Sequence, residues 1–216
     1  MSETRDAGEP GLRERKRLRT YQAVSDTAVA LFLERGFDAV SVAEVAAAAE
    51  ISKPTLFRYF PAKEDLVLHR FADHEDEAAR VVAGRAAGQS PLDALHRHFL
   101  AGLDRHDPVT GLNDHPNILA YHRLLYGTPA LVARLHGYLE RSEAALAHAL
   151  ADSAGSDLTA KLAAGQIIAV QRVLAQENWR RIADGERASA VRDDAVAAAD
   201  LAFGQLREGL QEYETQ

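Results

Sequence analysis

Apolar residues recur at helical spacing along almost the whole chain. Leu18, Tyr21, Val24, Ala28, Leu31 and Phe32 share one face of a first helix. Gly36 can end that helix in the left-handed cap conformation. Ser41-Val42-Ala43-Glu44 reads as a capping box, and Val42, Val45, Ala46 and Ala49 form the buried stripe of the short helix it opens. This second helix stops near Glu50-Ile51. Ser52 can cap a third, and Pro54 is tolerated in a first turn whose amides have no helical partner anyway. The third helix is very short and ends near Phe60-Pro61. A long amphipathic helix is expected over 62–87. Ser90-Pro91-Leu92-Asp93 starts another, with proline at the first helical position. Residues 107–116 form a loop and 117–126 a short helix, and Gly127-Thr128-Pro129 breaks the chain. Helices then follow over 129–151, 157–183 and 188–212. The pattern predicts an all-α fold of about nine helices, with no strand and no internal repeat.

The 216 residues allow roughly 1.4 domains. The pattern divides them into a disordered tail at 1–12, a helix-turn-helix domain at 13–61 and a larger helical domain at 62–216. There is no cysteine, which excludes disulfides, thiolate metal sites and cysteine nucleophiles. No run is apolar for ~18 residues, and the N-terminus lacks an apolar signal core, so a cytoplasmic chain without a membrane partner is expected. The net charge of −7 is unevenly spread. Residues 1–60 hold nine basic and nine acidic side chains, and all the excess negative charge lies beyond them. Within that first part, Arg13, Arg15, Lys16, Arg17 and Arg19 stand against Glu14 alone. A basic leading edge on an acidic protein is compatible with a local nucleic-acid contact.

A helix-turn-helix pattern occupies Val45-Ala46-x-x-Ala49-x-Ile51-Ser52 and Thr55-Leu56-x-x-Tyr59-Phe60. Small alanines let the two helices cross closely, and Ile51 fills the corner. That periodicity alone is shared by many helical hairpins. The longer string is more specific. Gly36-Phe37-x-x-Val40-Ser41-Val42-x-x-Val45-Ala46, followed by the unbroken run from Ile51 through Lys53-Pro54-Thr55-Leu56-Phe57-Arg58-Tyr59-Phe60 to Leu66, resembles the tetracycline-repressor (TetR) family of bacterial transcriptional regulators. The match spans residues 17–66, and the rest of the chain agrees only in helix number and length. One departure is Glu50, where the family commonly has glycine.

The resemblance implies a ligand-responsive regulator, a repressor, that binds a palindromic double-stranded operator as a homodimer and is released by a small-molecule inducer. On a 100°-per-residue wheel, Leu56 and Phe60 anchor the third helix, while Pro54 and Arg58 lie opposite, flanked by Thr55 and Phe57. A major groove admits one helix. Arg58 could then donate twice to guanine, and Pro54 could meet a thymine methyl. Lys53, Thr55, Tyr59 and Lys63 would reach phosphates, with Ser52 at the helix start. The family likeness places Ser41 and Val42 at the opposite phosphate wall, and Arg17 belongs to the basic run beside it.

The same likeness implies an inducer pocket in the larger domain. Phe99, Leu103, Tyr121, His122, Leu125, Tyr138 and Trp179 supply apolar and aromatic walls, with Leu174 beside them. His122, Gln171 and Asn178 are the polar groups to watch. It also implies that the last two helices pack against their mates around a two-fold axis, through Ile167, Val170 and Leu174 on one and Val196, Ala199, Phe203 and Leu206 on the other. The alternative is a helical metal-binding protein or enzyme using the histidine-rich middle. His69, Asp73 and Glu77 share one helix face, but there is no HExxH motif and no nucleophile elbow. No catalytic residue, metal or cofactor is therefore expected.

Overall fold

The computed structural model describes residues 12–72 and 74–209. It contains ten α-helices and, among the described residues, no strand. Two compact units divide between His69 and Arg70. The tail expected to be disordered lies outside the described residues but for Leu12.

The first unit is built on α1 (Leu12–Arg35), α2 (Val42–Ala48) and α3 (Lys53–Tyr59). Gly36 ends α1 at φ +89°, with its amide donating to the Phe32 carbonyl. Helix α4 (Asp65–Ala72) contributes its first residues here: Leu66, Val67 and Leu68 are fully buried with Phe32 and Leu56, and the Ser25 hydroxyl donates to the Leu66 carbonyl at 2.7 Å. Tyr21 stands edge-on to Tyr59 and Phe60 and stacks on His69.

The second unit contains α5 (Glu77–Ala83), α6 (Pro91–Asp104), α7 (Pro116–Gly127), α8 (Pro129–Leu150), α9 (Asp157–Ala183) and α10 (Ala188–Gly209). Helix α8 packs on α5 and α9, and α10 packs on α6 and α9. Leu95, Leu103, Leu112, Leu146 and Phe203 are buried at the centre, each contributing roughly 1.5–3 kcal/mol relative to exposure.

The expected helix over 62–87 is instead the two helices α4 and α5. Between their apolar stripes lies Asp73-His74-Glu75-Asp76-Glu77, a run with no apolar residue to hold a helix against a core. The loop after α6 holds a 3-10 turn at Pro108–Thr110. It runs tightly over α9. Gly111 takes φ +74°, and a Cβ there would overlap the Ala175 carbonyl. The buried Asn178 amide donates to the Thr110 carbonyl at 2.9 Å.

Candidate functional site

In the first unit, α2 opens with the expected capping box. The Ser41 hydroxyl accepts from the Glu44 amide at 3.2 Å, and Glu44 accepts from the Ser41 amide at 2.8 Å. Arg35 also donates to Glu44 at 2.6 Å. These bonds to its charged form, the Ser41 amide first, hold the Glu44 carboxyl at about 2, well below its ordinary value. Val42 is half-buried behind the cap.

The turn between α2 and α3 passes through Glu50 at φ +54°, a left-handed position that glycine occupies without steric cost. The Ile51 amide then reaches back to the Ala46 carbonyl, and its half-buried side chain fills the corner. Ser52 caps α3 by accepting from the Thr55 amide, and the two hydroxyls bond at 2.7 Å. The face predicted to anchor α3 does so: Leu56 and Phe60 are buried.

The opposite side exposes Lys53, Pro54, Phe57 and Arg58, while Thr55 and Tyr59 are half-buried. Phe57 keeps 41% of its surface open, so its ring contributes little to the core. The Lys53 ammonium hovers over that ring and the Arg58 guanidinium over Tyr59. Arg17 is exposed on α1 with its guanidinium over Tyr21. A cationic and apolar ridge on a short, firmly capped helix is suited to a groove that offers both phosphates and base edges.

Lys63, expected at a phosphate, lies elsewhere in the free chain. Its ammonium donates to the Phe37 carbonyl and sits over the Phe37 ring at 4.3 Å and the Phe32 ring at 5.4 Å. It closes the turn after α1 rather than reaching outward, because a half-buried carbonyl and two ring faces satisfy the charge locally.

The second unit holds a cavity of about 180 Å³, partly open to solvent, between α5, α6, α8 and α9. Phe99, Tyr138 and Gln171 line it, as expected. Tyr126, Leu95, Leu139 and Ile168 complete much of the apolar wall. Leu103, Tyr121, His122, Leu125, Leu174, Asn178 and Trp179 are not among its lining residues. Leu103 and Leu125 are wholly buried. Asn178 is a clamp for the Thr110 loop, its amide already bonded. Trp179 packs on Tyr126 with ring centroids 4.8 Å apart, and His122 lies edge-on to Trp179. The His122 Nδ1 and Trp179 Nε1 atoms are buried without a hydrogen-bond partner. Burial lowers the His122 pKa to about 4, so the ring is neutral at pH 7. Burial likewise raises the Tyr121 hydroxyl above its ordinary value.

The chain's pattern did not reveal the polar part of the cavity wall. Glu77 on α5 accepts from His74 Nδ1 at 2.8 Å and from His98 Nε2, on α6, at 3.0 Å. These two bonds hold its carboxyl well below the usual carboxylate range. The i,i+3 spacing of His74 and Glu77 was a partial signal, but His98 joins them only through helix packing. In the metal candidate, Asp73 lies outside the described residues, while His69 stacks on Tyr21. Among the described residues, no group of three His, Cys, Asp or Glu side chains is placed to hold a metal ion. Nor is any described helix long and apolar enough to cross a membrane.

The residues named for a two-fold contact divide. Ile167, Ala199, Phe203 and Leu206 are buried in the unit's own core, and Val170, Leu174 and Val196 pack partly against it. Buried side chains of this kind offer a mate no surface. The same two helices expose other large apolar groups: Leu158 at 66%, Leu162 at 57% and Val173 at 54% on α9, and Leu201 at 65% on α10. Leu158, Leu162 and Val173 keep to one face, at intervals of four and eleven residues, a signal the sequence did contain.

A family model described as bacterial regulatory proteins, tetR family, matches residues 25–69. The HTH-type transcriptional regulator TcmR of Streptomyces glaucescens is 33% identical over 178 residues, covering 80% of this chain and 78% of that protein. Among solved structures, Salmonella enterica GusR superposes with a TM-score of 0.56 at 20% identity, covering 90% of this chain and 96% of its own. Bacillus subtilis FadR, a transcriptional regulator solved in complex with stearoyl-CoA, superposes with a TM-score of 0.51 at 16% identity, covering 83% of this chain and 97% of its own. These last two likenesses are in fold.

Proposed function

The chain belongs to the tetR family of bacterial regulatory proteins and is a DNA-binding transcriptional regulator, and from that premise we propose that it is a cytoplasmic repressor, without catalytic activity, that holds a palindromic operator as a homodimer and is released by a small molecule. The observation that carries the DNA part is the division of α3, with Leu56 and Phe60 buried on one side and Lys53, Pro54, Phe57 and Arg58 exposed on the other. Arg58 reads a base edge, Pro54 and Phe57 make apolar contact, and Lys53, Ser52, Thr55 and Tyr59 meet the backbone with Ser41, Val42 and Arg17. The exposed leucines and Val173 of α9, with Leu201 of α10, are the two-fold contact. Four large apolar side chains left more than half open are a cost that a mate removes. The cavity lined by Phe99, Tyr138 and Gln171 takes the inducer. Stearoyl-CoA in FadR is a precedent for a ligand in this fold.

Selection of bound sequences from a random DNA pool tests the reading. It should return a palindrome whose half-sites lie about 34–36 Å apart or a multiple of that. Arg58→Ala should lower affinity for that palindrome by about 1–3 kcal/mol and relax one base pair per half-site. Sedimentation of the wild type at micromolar concentration should give a dimer. A monomer that selects no sequence would refute the proposal.

A further inference from the structure

The cavity wall is largely apolar, with Gln171, Arg172 and Gln176 on α9 and a cluster of titratable groups where α5 and α6 meet it. There, Glu77 joins two imidazoles, and all three side chains are partly buried. An ionised carboxylate can only accept hydrogen bonds, so each ring must donate to it. His98 donates from Nε2, so in the singly protonated tautomer Nδ1 is the acceptor, on a residue that lines the cavity. The lining also carries Glu75, already paired with Arg141 at 2.9 Å, and Asp107. Arg172 is the one lining side chain with a fixed positive charge, and it donates to Gln176. An anion entering here would meet more negative than positive charge and an acceptor lone pair. A neutral hydroxyl would find its partner.

Resting on the reading of this cavity as the inducer site, we propose that the His74–Glu77–His98 trio is a hydroxyl-recognising anchor. Its ligand is a compact apolar ring system bearing a neutral phenol or alcohol, not a carboxylate. Glu77 is a positioning residue: it fixes the tautomer of His98 and thereby the sign of the hydrogen bond the cavity offers. Size agrees with a small ring system. A dry cavity of ~150 Å³ holds one benzene ring, so about 180 Å³ accepts a body of roughly one or two rings.

The test uses the full chain at pH 8 with three probes of one shape: naphthalene, 2-naphthol and 2-naphthoate, each titrated by equilibrium dialysis. Wild type should bind 2-naphthol about tenfold more tightly than naphthalene, the worth of one partly buried hydrogen bond. It should bind 2-naphthoate more weakly than 2-naphthol. His98→Phe keeps a ring but removes the acceptor, and should abolish the naphthol advantage while leaving naphthalene unchanged. Glu77→Gln, whose amide donates to one ring and so inverts its tautomer, should reduce the same ratio if His98→Phe does not fold. A merely structural trio would weaken all three probes together, and that result overturns the proposal. So does an advantage kept in both variants, equal affinity for naphthol and naphthalene, or tightest binding of naphthoate. In each of those cases the cavity stands as a ligand site. Failure of all three probes to bind overturns the cavity reading itself.

Discussion

The two units both cap their helices locally, at Ser41 and Ser52 in the first and at Ser90 and Ser156 in the second, but differ in how far their longest polar ties reach. In the first, the longest ties join Lys63 to the Phe37 carbonyl and Ser25 to the Leu66 carbonyl, 26 and 41 residues apart. In the second, the ties span the fold: Asn178 to Thr110, Asp114 to the Ala188 amide, Arg207 to Asp93 and Arg192 to Asp104. In the first unit the Ser52 cap and the buried Leu56 and Phe60 fix α3 from one side and leave Lys53, Pro54, Phe57 and Arg58 exposed on the other. Long ties can hold helices apart around a space, which locally capped hairpins cannot do.

Gly111→Ala strikes the second unit where its backbones come closest. The new Cβ overlaps the Ala175 carbonyl at a positive φ, and neither backbone can yield. We expect a loss of about 4 kcal/mol or more in urea unfolding of the second unit. A loss below ~1 kcal/mol would refute the close approach.

His122 sets an acid limit on the same unit. Its folded pKa of about 4 lies below the ordinary 6.5, so between these values the unfolded chain binds a proton that the folded chain refuses. Stability is full above pH 6.5 and falls by roughly 3 kcal/mol as pH drops to 4. His122→Phe should flatten that part of a stability–pH curve. The part due to Glu77, whose pKa is also lowered, is lost only further down, as pH falls through its folded value.

Lys63→Ala separates structure from recognition in the first unit. Loss of the Phe37 carbonyl bond and two cation–π contacts should cost roughly 1–2 kcal/mol of stability. The slope of log operator affinity against log salt should stay at its wild-type value. A shallower slope would return Lys63 to the phosphates. The smallest effect is a gain: Glu50→Gly relieves the left-handed residue at φ +54° and should raise stability by about 0.5–1 kcal/mol, read from thermal melting.

The sequence separation of each contact explains what the sequence disclosed. The caps at Ser41 and Ser52 and the anchors Leu56 and Phe60 are fixed by neighbours a few residues away, so spacing was enough. Phe99, Tyr138 and Gln171 were placed on the cavity, but the His74–Glu77–His98 trio was not. Its members come from separate helices, and no periodicity joins them. Asn178 looked like a ligand group because polar side chains on apolar helices often are, yet a loop 68 residues earlier in the chain had already taken its amide. The residues named for a two-fold contact lie in the unit's own core for a related reason. The most uniform apolar stripe of a helix is the one its own core claims, as for Ile167 and Phe203. The face left for a mate is the mixed one, where Leu158 and Leu162 stand beside Lys161 and Gln166.

Helix α9 carries both surfaces at once. Ile168, Gln171, Arg172, Ala175 and Gln176 border the cavity, while Leu158, Leu162 and Val173 look outward. A ligand that shifted this continuous 27-residue helix would carry the outward face with it. If that face meets its twin, the first molecule bound alters the energy of admitting the second. Two pockets on such a beam are then one titration, and a Hill coefficient different from one is its signature.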